Sequence, residues 1–352
     1  MSIHILDAMA REGFEQVVAF HDSRSRVRGF LGIHESGVGP AFGGIRRWSY
    51  RDEDQALLDC LRLARAMTRK CALAGLPAGG GKIVILDRPD LDREGAYAHV
   101  GELVECLAGR FCTGPDVGTT DGDLSVVAGK TRFVTRPGPE GPGELAEATC
   151  EGVIAGIAAS LRHLDGEEDW ARRRIVVQGL GGIGRRVVAR LLALGASVVA
   201  AEIDPERAEL ASRELGVDLV DPAMDLDQGC DVFAPCALGG ILHDLSVARL
   251  KCRIVAGGAN NVLAKTLHGD RLHERGILYA PDEIITAGAL IRGAIFHLEG
   301  RREPVAAIGA GIGSTLGRVL VRAREEGRSP VRVAHDEAEK SLARRRATRT
   351  RR

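Results

Sequence analysis

The chain has no excess of either charge: lysine and arginine together number 48, and so do aspartate and glutamate. That balance removes any general electrostatic case for nucleic acid or an anionic membrane as a partner. No apolar run approaches the ~18 residues that a membrane-spanning helix needs. The opening MSIHILDAMAREGFEQ lacks the basic segment and apolar core of a secretion signal. These absences lead us to expect a soluble, cytoplasmic protein. The eight cysteines, at 60, 71, 106, 112, 150, 230, 236 and 252, contain no C-x-x-C pair, and no histidine cluster has ligand spacing. They read as buried small residues in a reducing compartment, so no metal site is expected. The basic ending SLARRRATRTRR reads as a solvated tail, with contact to an acidic partner as the alternative.

A phosphate-binding P-loop is missing too, although AGLPAGGGKIVIL, residues 74–86, suggests one. Counting back from Gly81 puts Leu76 where the first glycine of that loop belongs, and Ile83 stands at the Ser/Thr position. The order of elements is also reversed, because KIVIL is a β-branched strand that follows the glycines. Lys82 therefore needs another explanation.

What is present suits a two-domain α/β protein. A chain of 352 residues is long enough for about two domains with their own cores. In the first half VVAFH and RGFLGIH read as strands, ESGVGPAFGGIRRW as a loop, and 53–72 as a long amphipathic helix. A strand over 83–86, a helix near 93–108, the turn TGPDVGTTDGD and a strand RFVT follow. RPGPEGPGE, 136–144, is the clearest linker. The second half alternates strands (IVVQG, SVVAAEID, DVFAP, RIVAGG, ILYA) with helices at 183–194 and 205–214, the pattern of a doubly wound parallel sheet. Helices near 284–299, 303–326 and 331–346 close the chain.

The strand beginning at Ile175 runs into Gly179, Gly181 and Gly184, a G-x-G-x-x-G pattern with Gly182 and Ile183 between the last two glycines. A helix follows, and the next strand ends at Glu202, the setting of a dinucleotide-binding turn. Gly179 permits the tight turn, Gly181 lets backbone approach a pyrophosphate, Gly184 lets helix and strand pack, and the helix N-terminus attracts the phosphate charge. Glu202 would accept hydrogen bonds from the adenosine ribose hydroxyls and repel a 2′-phosphate, which favours NAD over NADP. Asp204 is the competing candidate for the ribose, but before Pro205 it reads as a helix cap.

GPAFGGIRRW, MTRKCALAGLPAGGGK, TGPDVGTT, GLGGIG, APCALGG, GGANN and YAPDEIITAG occur here in an order that resembles the glutamate/leucine/phenylalanine/valine dehydrogenases, from about residue 28 to about 300. The resemblance implies NAD-dependent oxidative deamination of an L-amino acid to a 2-oxo acid and ammonia, in the cleft between two domains. It implies a substrate and oligomerisation domain over 1–145, an NAD-binding Rossmann domain over 146–326, and a C-terminal helix, 327–352, that returns to the first domain. A homo-oligomer, dimer to octamer, is implied as well. By motif, Lys82 would be the catalytic lysine and Asp116 the proton-transferring acid. Lys70 would hold the substrate carboxylate with Asn260 and the backbone at Gly43 and Gly44. Thr149, Cys236 and Ala237 match segments that line the cofactor.

The chemistry accounts for these residue types. Hydride leaves the α-carbon only from a neutral amine, water must be activated to attack the iminium, and the resulting intermediate must release ammonia. One base and one polarising cation are needed. A partly desolvated lysine held near another lysine, as Lys82 near Lys70 would be, can serve as that base. Read singly, Lys70 is a dipole-favouring cation late in a helix and Asp116 a turn residue; Lys82, heading an apolar strand, has no such bland account.

The sequence departs from the family's usual Asn-Ala-Gly-Gly at TAGA, 286–289, where Thr286 stands, and Arg292 follows. Small residues at Ala78, Gly114 and Gly293 would enlarge the side-chain pocket and Phe42 would narrow it, suggesting a bulky apolar substrate such as phenylalanine or leucine. The glycines of GGGK read as clearing space where substrate and nicotinamide meet. The alternatives are a dehydrogenase for Val, Trp or Glu, and a non-catalytic NAD- or metabolite-sensing protein.

Overall fold

The structure, a computed structural model, describes residues 4–136 and 141–350. Of the linker 136–144, residues 137–140 lie outside the described residues. The chain divides into two compact units, one formed by Met1–Gly143, Gly293–Arg302 and Glu339–Arg352, the other by Glu144–Arg292 and Glu303–Ala338. The helix Pro330–Thr350 is thus split between them, with only its last part grouped with the first.

The first unit is built on five strands: β1 (Gln16–His21), β2 (Arg28–Glu35), β3 (Ala41–Trp48), β4 (Gly79–Leu86) and β5 (Phe111–Pro115), in the order β1-β2-β4-β3-β5. β2 runs antiparallel to β1 and β4, whereas β3 is parallel to β4 and β5. All eight residues of β4 are buried, because helices cover both faces. On one face Ile83 and Ile85 join Leu31, Tyr97, Val100 and Phe111. On the other, Val84 and Leu86 pack with Ala56 and Cys60 of the helix Glu53–Leu73. Side chains alternate along a strand, so Gly80 and Lys82 share the face of Val84, turned to that helix.

The glycines require two corrections to the sequence reading. GPAFGGIRRW is not a loop from end to end: its second part, Ala41–Trp48, is an inner strand. Nor do the glycines of GGGK precede a strand, since they are its first three residues. A Cβ at Gly79 would lie 1.7 Å from the Glu35 carbonyl oxygen, at Gly80 2.1 Å from the Thr68 nitrogen, and at Gly81 2.7 Å from the Phe111 ring. Close packing against the neighbouring strands and the helix imposes these residues, not space for a ligand. RFVT forms a single bridge, Thr113 to Val134, rather than a strand.

The second unit holds β6 (Arg174–Gln178), β7 (Ser197–Ala201), β8 (Asp218–Leu219), β9 (Cys230–Pro235), β10 (Cys252–Val255) and β11 (Leu278–Tyr279). Their order is β11-β10-β9-β6-β7-β8 and all pairs are parallel, the doubly wound Rossmann arrangement expected from the sequence. The helix Val305–Glu326 is long and apolar enough to cross a membrane, but its Ile308, Ile312, Leu316 and Val319 are core residues and it packs on the helix Leu145–Asp165. The sequence reading did not pick out Leu145–Asp165.

The basic ending is not a free tail either. Leu342 is buried, Arg346 pairs with the buried Glu35 at the end of β2, and Arg345 donates to the Leu76 carbonyl. We predict that Gly80→Ala lowers stability by about 2 kcal/mol or more, the scale of overpacking against backbone that cannot retreat. Denaturant unfolding measures this, and wild-type stability would contradict the packing account.

Candidate functional site

In the first unit, Lys82 stands midway along β4 with its side chain buried, 6% exposed. Asp116 follows β5, and its carboxylate meets the Lys82 ammonium, Nζ to Oδ2 2.7 Å. Arg46, on β3 opposite Val84, donates from Nε to the same oxygen at 2.9 Å. Its Nη1 donates to Asp59, on the helix Glu53–Leu73, at 3.0 Å. Two cations and two carboxylates from four chain segments therefore meet on the face of the sheet that the helix Glu53–Leu73 covers. Burial pulls the Lys82 ammonium below its ordinary value and the Arg46 charge adds to that, against the opposing pull of Asp116. Burial alone would raise Asp116, but Lys82 and Arg46 outweigh it and hold the carboxyl well below its usual range.

Lys70 lies in the last turn of that helix, 8% exposed. Gly43 and Gly44 on β3 are tightly enclosed: a Cβ would lie 1.8 Å from the Gly81 oxygen at Gly43 and 2.4 Å from the Pro115 oxygen at Gly44. Their bare backbone thus runs beside the strand that bears Lys82 and the turn that bears Asp116. Of the pocket candidates, Gly114 and Gly293 converge on Thr135, since a Cβ on either would meet it at 3.4 and 3.0 Å. Phe42 is buried with its ring 6.0 Å from that of His297, and Ala78 is fully buried beside Gly39. Arg46, Asp59, Thr135 and His297 escaped the sequence reading. Arg46 was the detectable one, a charge inside GGIRRW beside two glycines.

In the second unit, Gly179 has φ +93°, the left-handed region that favours glycine, and a Cβ there would lie 2.7 Å from that of Ala237. A Cβ at Gly184 would come within 1.9 Å of the Gly179 oxygen and 3.2 Å of the Cys236 Cβ. Gly258, of GGANN, abuts Ile183 and donates from its backbone to Cys236 Sγ at 3.3 Å. Three motifs thus gather at the C-terminal ends of β6, β9 and β10, where the order reverses between β6 and β9. Thr149, one turn into Leu145–Asp165, donates to the Leu145 carbonyl at 3.2 Å.

Gly181 and Gly182 differ from their neighbours: a Cβ on either meets nothing within 4 Å. The fold does not demand glycine there, and Gly181 caps the helix Gly182–Ala193 with no side-chain cap. An open, uncapped helix N-terminus fits a phosphate. Glu202, at the end of β7, accepts from the backbone of Leu180 at 2.7 Å and of Asp204 at 3.0 Å, so its carboxylate is fixed beside the glycine turn. Asp204 accepts from Glu206 and Arg207 and is the helix cap. These residues fit a dinucleotide.

Asn260 is exposed, and its amide oxygen lies 2.8 Å from the Thr286 hydroxyl. Arg292 is only 12% exposed, with Glu147 at 3.8 Å. Among the described residues no group of three or more His, Cys, Asp or Glu side chains could hold a metal.

Residues 15–133 match the Glu/Leu/Phe/Val dehydrogenase dimerisation domain, and residues 201–295 match Glutamate/Leucine/Phenylalanine/Valine dehydrogenase. Leucine dehydrogenase of Thermoactinomyces intermedius is 38% identical over 98% of this chain and 95% of its own. The chain belongs to the glutamate/leucine/phenylalanine/valine dehydrogenase family. It is an amino-acid dehydrogenase, an oxidoreductase acting on CH–NH2 groups with a nicotinamide cofactor. Valine dehydrogenase of Streptomyces albus is 38% identical over 99% of this chain and 97% of its own. The crystal structure of L-tryptophan dehydrogenase from Nostoc punctiforme superposes with a TM-score of 0.81 at 33% identity, covering 97% of this chain and 99% of that one. These family members differ in named substrate, so membership fixes the reaction class and leaves the side-chain preference to the pocket.

The two kinds of glycine separate in one experiment. We predict that Gly181→Ala leaves the thermal unfolding of the nucleotide-free protein unchanged while weakening NADH binding, measured by fluorescence titration. Wild-type NADH affinity in that variant would contradict the phosphate-cradle assignment.

Proposed function

We propose that the protein oxidatively deaminates a bulky apolar L-amino acid, phenylalanine- or leucine-like, with NAD, giving the 2-oxo acid, ammonia and NADH. The observation that carries the reading is the buried Lys82–Asp116 pair at 2.7 Å. Glycine-edged backbone at Gly43 and Gly44 and the buried Lys70 stand with that pair in the first unit.

Lys82 Nζ, depressed by burial, acts as the base that takes a proton from water as its oxygen attacks the iminium carbon. Asp116, held as a carboxylate, accepts a proton from the substrate nitrogen and returns it as ammonia leaves, and the remaining hydroxyl proton passes to solvent as the carbonyl forms. Lys70 binds the substrate carboxylate, with Asn260 and the backbone of Gly43 and Gly44. A bound nicotinamide supplies the acceptor for the α-hydrogen, taken as hydride. Gly181, Gly182, Ile183 and Gly184 would hold its pyrophosphate, Glu202 its adenosine ribose, and Thr149, Cys236, Ala237 and Asn260 would line it. The fixed Glu202 carboxylate favours NAD over NADP, because a 2′-phosphate there would face a like charge.

The absence of side chains at Gly114 and Gly293 supports the preference for a bulky side chain, while Thr135 between them and Phe42, against His297, bound the pocket. One or two methylenes of pocket size are worth about 1–3 kcal/mol, so the preference is graded rather than absolute. The description of residues 15–133 as a dimerisation domain supports a homo-oligomer built through the first unit.

Initial rates with Phe, Leu, Val, Trp and Glu, each with NAD and with NADP, test the reading. We expect turnover highest on Phe or Leu with NAD and about 10²- to 10⁴-fold lower in Lys82→Ala with folding intact. A clear preference for Glu would sink the substrate assignment. Full activity in Lys82→Ala would sink the mechanism, and no turnover on any substrate would favour a sensor that kept the fold.

A further inference from the structure

Lys82 and Arg46 compete for one oxygen. Nζ of Lys82 is 2.7 Å and Nε of Arg46 2.9 Å from Asp116 Oδ2. The other end of the guanidinium donates from Nη1 to Asp59 Oδ2 at 3.0 Å, and Tyr50 donates its hydroxyl to that same atom at 2.7 Å. Arg62 donates to the second Asp59 oxygen at 2.7 Å. A guanidinium is planar and its nitrogens keep fixed spacing. A single side chain from β3 therefore sets the separation between a carboxylate after β5 and a carboxylate on the helix Glu53–Leu73. Arg46 is only 17% exposed, so a full charge has been taken out of water to make this bridge, which is costly unless both carboxylates are present.

We propose that Arg46 is a positioning residue for the reaction: it pins Asp116 Oδ2 beside Lys82 Nζ, leaves Asp116 Oδ1 for the substrate nitrogen, and is itself anchored by Asp59, which Tyr50 holds. This rests on reading Lys82 and Asp116 as the catalytic pair. When Lys82 gives up its proton, Asp116 keeps a cationic partner and so remains an anion in place. Without Arg46, the two groups would be left to share a proton between themselves, and the carboxylate would be free to rotate away once Lys82 became neutral.

The groups that face Lys82 fix the sign of the test. β3 supplies Arg46, the turn after β5 supplies Asp116, and the helix Glu53–Leu73 supplies Asp59, Cys60 and, further along, Lys70, while Tyr50 and Arg62 face Asp59. Burial raises the Cys60 thiol to about 12, so it carries no charge near neutrality. Beyond burial, Asp116 and Asp59 raise Lys82 and Arg46 lowers it. Removing Arg46 therefore raises Lys82, and removing the Asp59 charge lowers it.

The test is the pH profile of kcat/KM for amino-acid oxidation, whose acidic limb marks loss of the Lys82 proton; the substrate's own titration is common to all variants. Arg46→Gln should move that limb up by about one pH unit, and Asp59→Asn should move it down. Arg46→Lys should bring the limb back towards wild type while kcat stays about 10- to 100-fold low, since an ammonium cannot bond both carboxylates in one geometry. Limbs that stay put in both Arg46→Gln and Asp59→Asn would overturn the role, whatever happens to the rate. If Arg46→Gln does not fold, Asp59→Asn decides alone, and a limb that fails to move down overturns it. Activity persisting in Lys82→Ala would instead remove the catalytic pair on which the inference rests.

Discussion

The first unit is organised around an ammonium placed where water is scarce. Lys82 sits on a strand buried along its whole length, between two helical layers, and Asp116 is its counter-charge at 2.7 Å. A lone charge at that depth would shed its proton or unfold its surroundings. With Asp116 shared by Arg46, the lysine is stabilised only in part. That division leaves it below its ordinary proton affinity without making it inert, and a base for water activation needs that state.

Much of the surrounding sequence follows from bringing those charges together. β4 must lie close to β3 and the helix Glu53–Leu73 to bring Lys82 into one cluster with Arg46 and Asp59, and its first three positions admit no Cβ. Gly43 and Gly44 repeat the constraint on β3. The second unit shows the opposite case. Gly179 and Gly184 are imposed by the turn and by helix packing, while Gly181 and Gly182 border open space and are explained by what would bind there. The same residue type thus records two causes, and only the distances around each glycine tell them apart.

The Rossmann half was the more legible in sequence. IVVQG, the glycine turn, the amphipathic helix and the strand ending at Glu202 are local signals, each with its own period or punctuation, and the parallel order followed from their alternation. The first half was harder because its signals are non-local. AFGGIRRW reads as a loop since glycine is rare in strands, and only its neighbours β4 and β5 show why glycine is required. RFVT has strand propensity but finds no ladder beyond Thr113. Lys82 and Asp116 could be named from motif and chemistry, yet Arg46 and Asp59, 13 residues apart, meet only through the pairing of a strand with the helix that covers it. The ending RRRATRTRR looked like a solvated tail because nothing in its composition reveals Glu35, buried at the far end of the chain.

The central claim is that Lys82 is held in this charge cluster with its proton affinity lowered. Isotope-edited NMR of the lysine side chains, with Lys82 assigned by Lys82→Arg, follows Nζ through a pH titration of the folded protein. The account predicts that Lys82 titrates below the ordinary lysine range and that its resonance moves in Asp116→Asn. Titration at or above the ordinary value, with no response to Asp116→Asn, would contradict it.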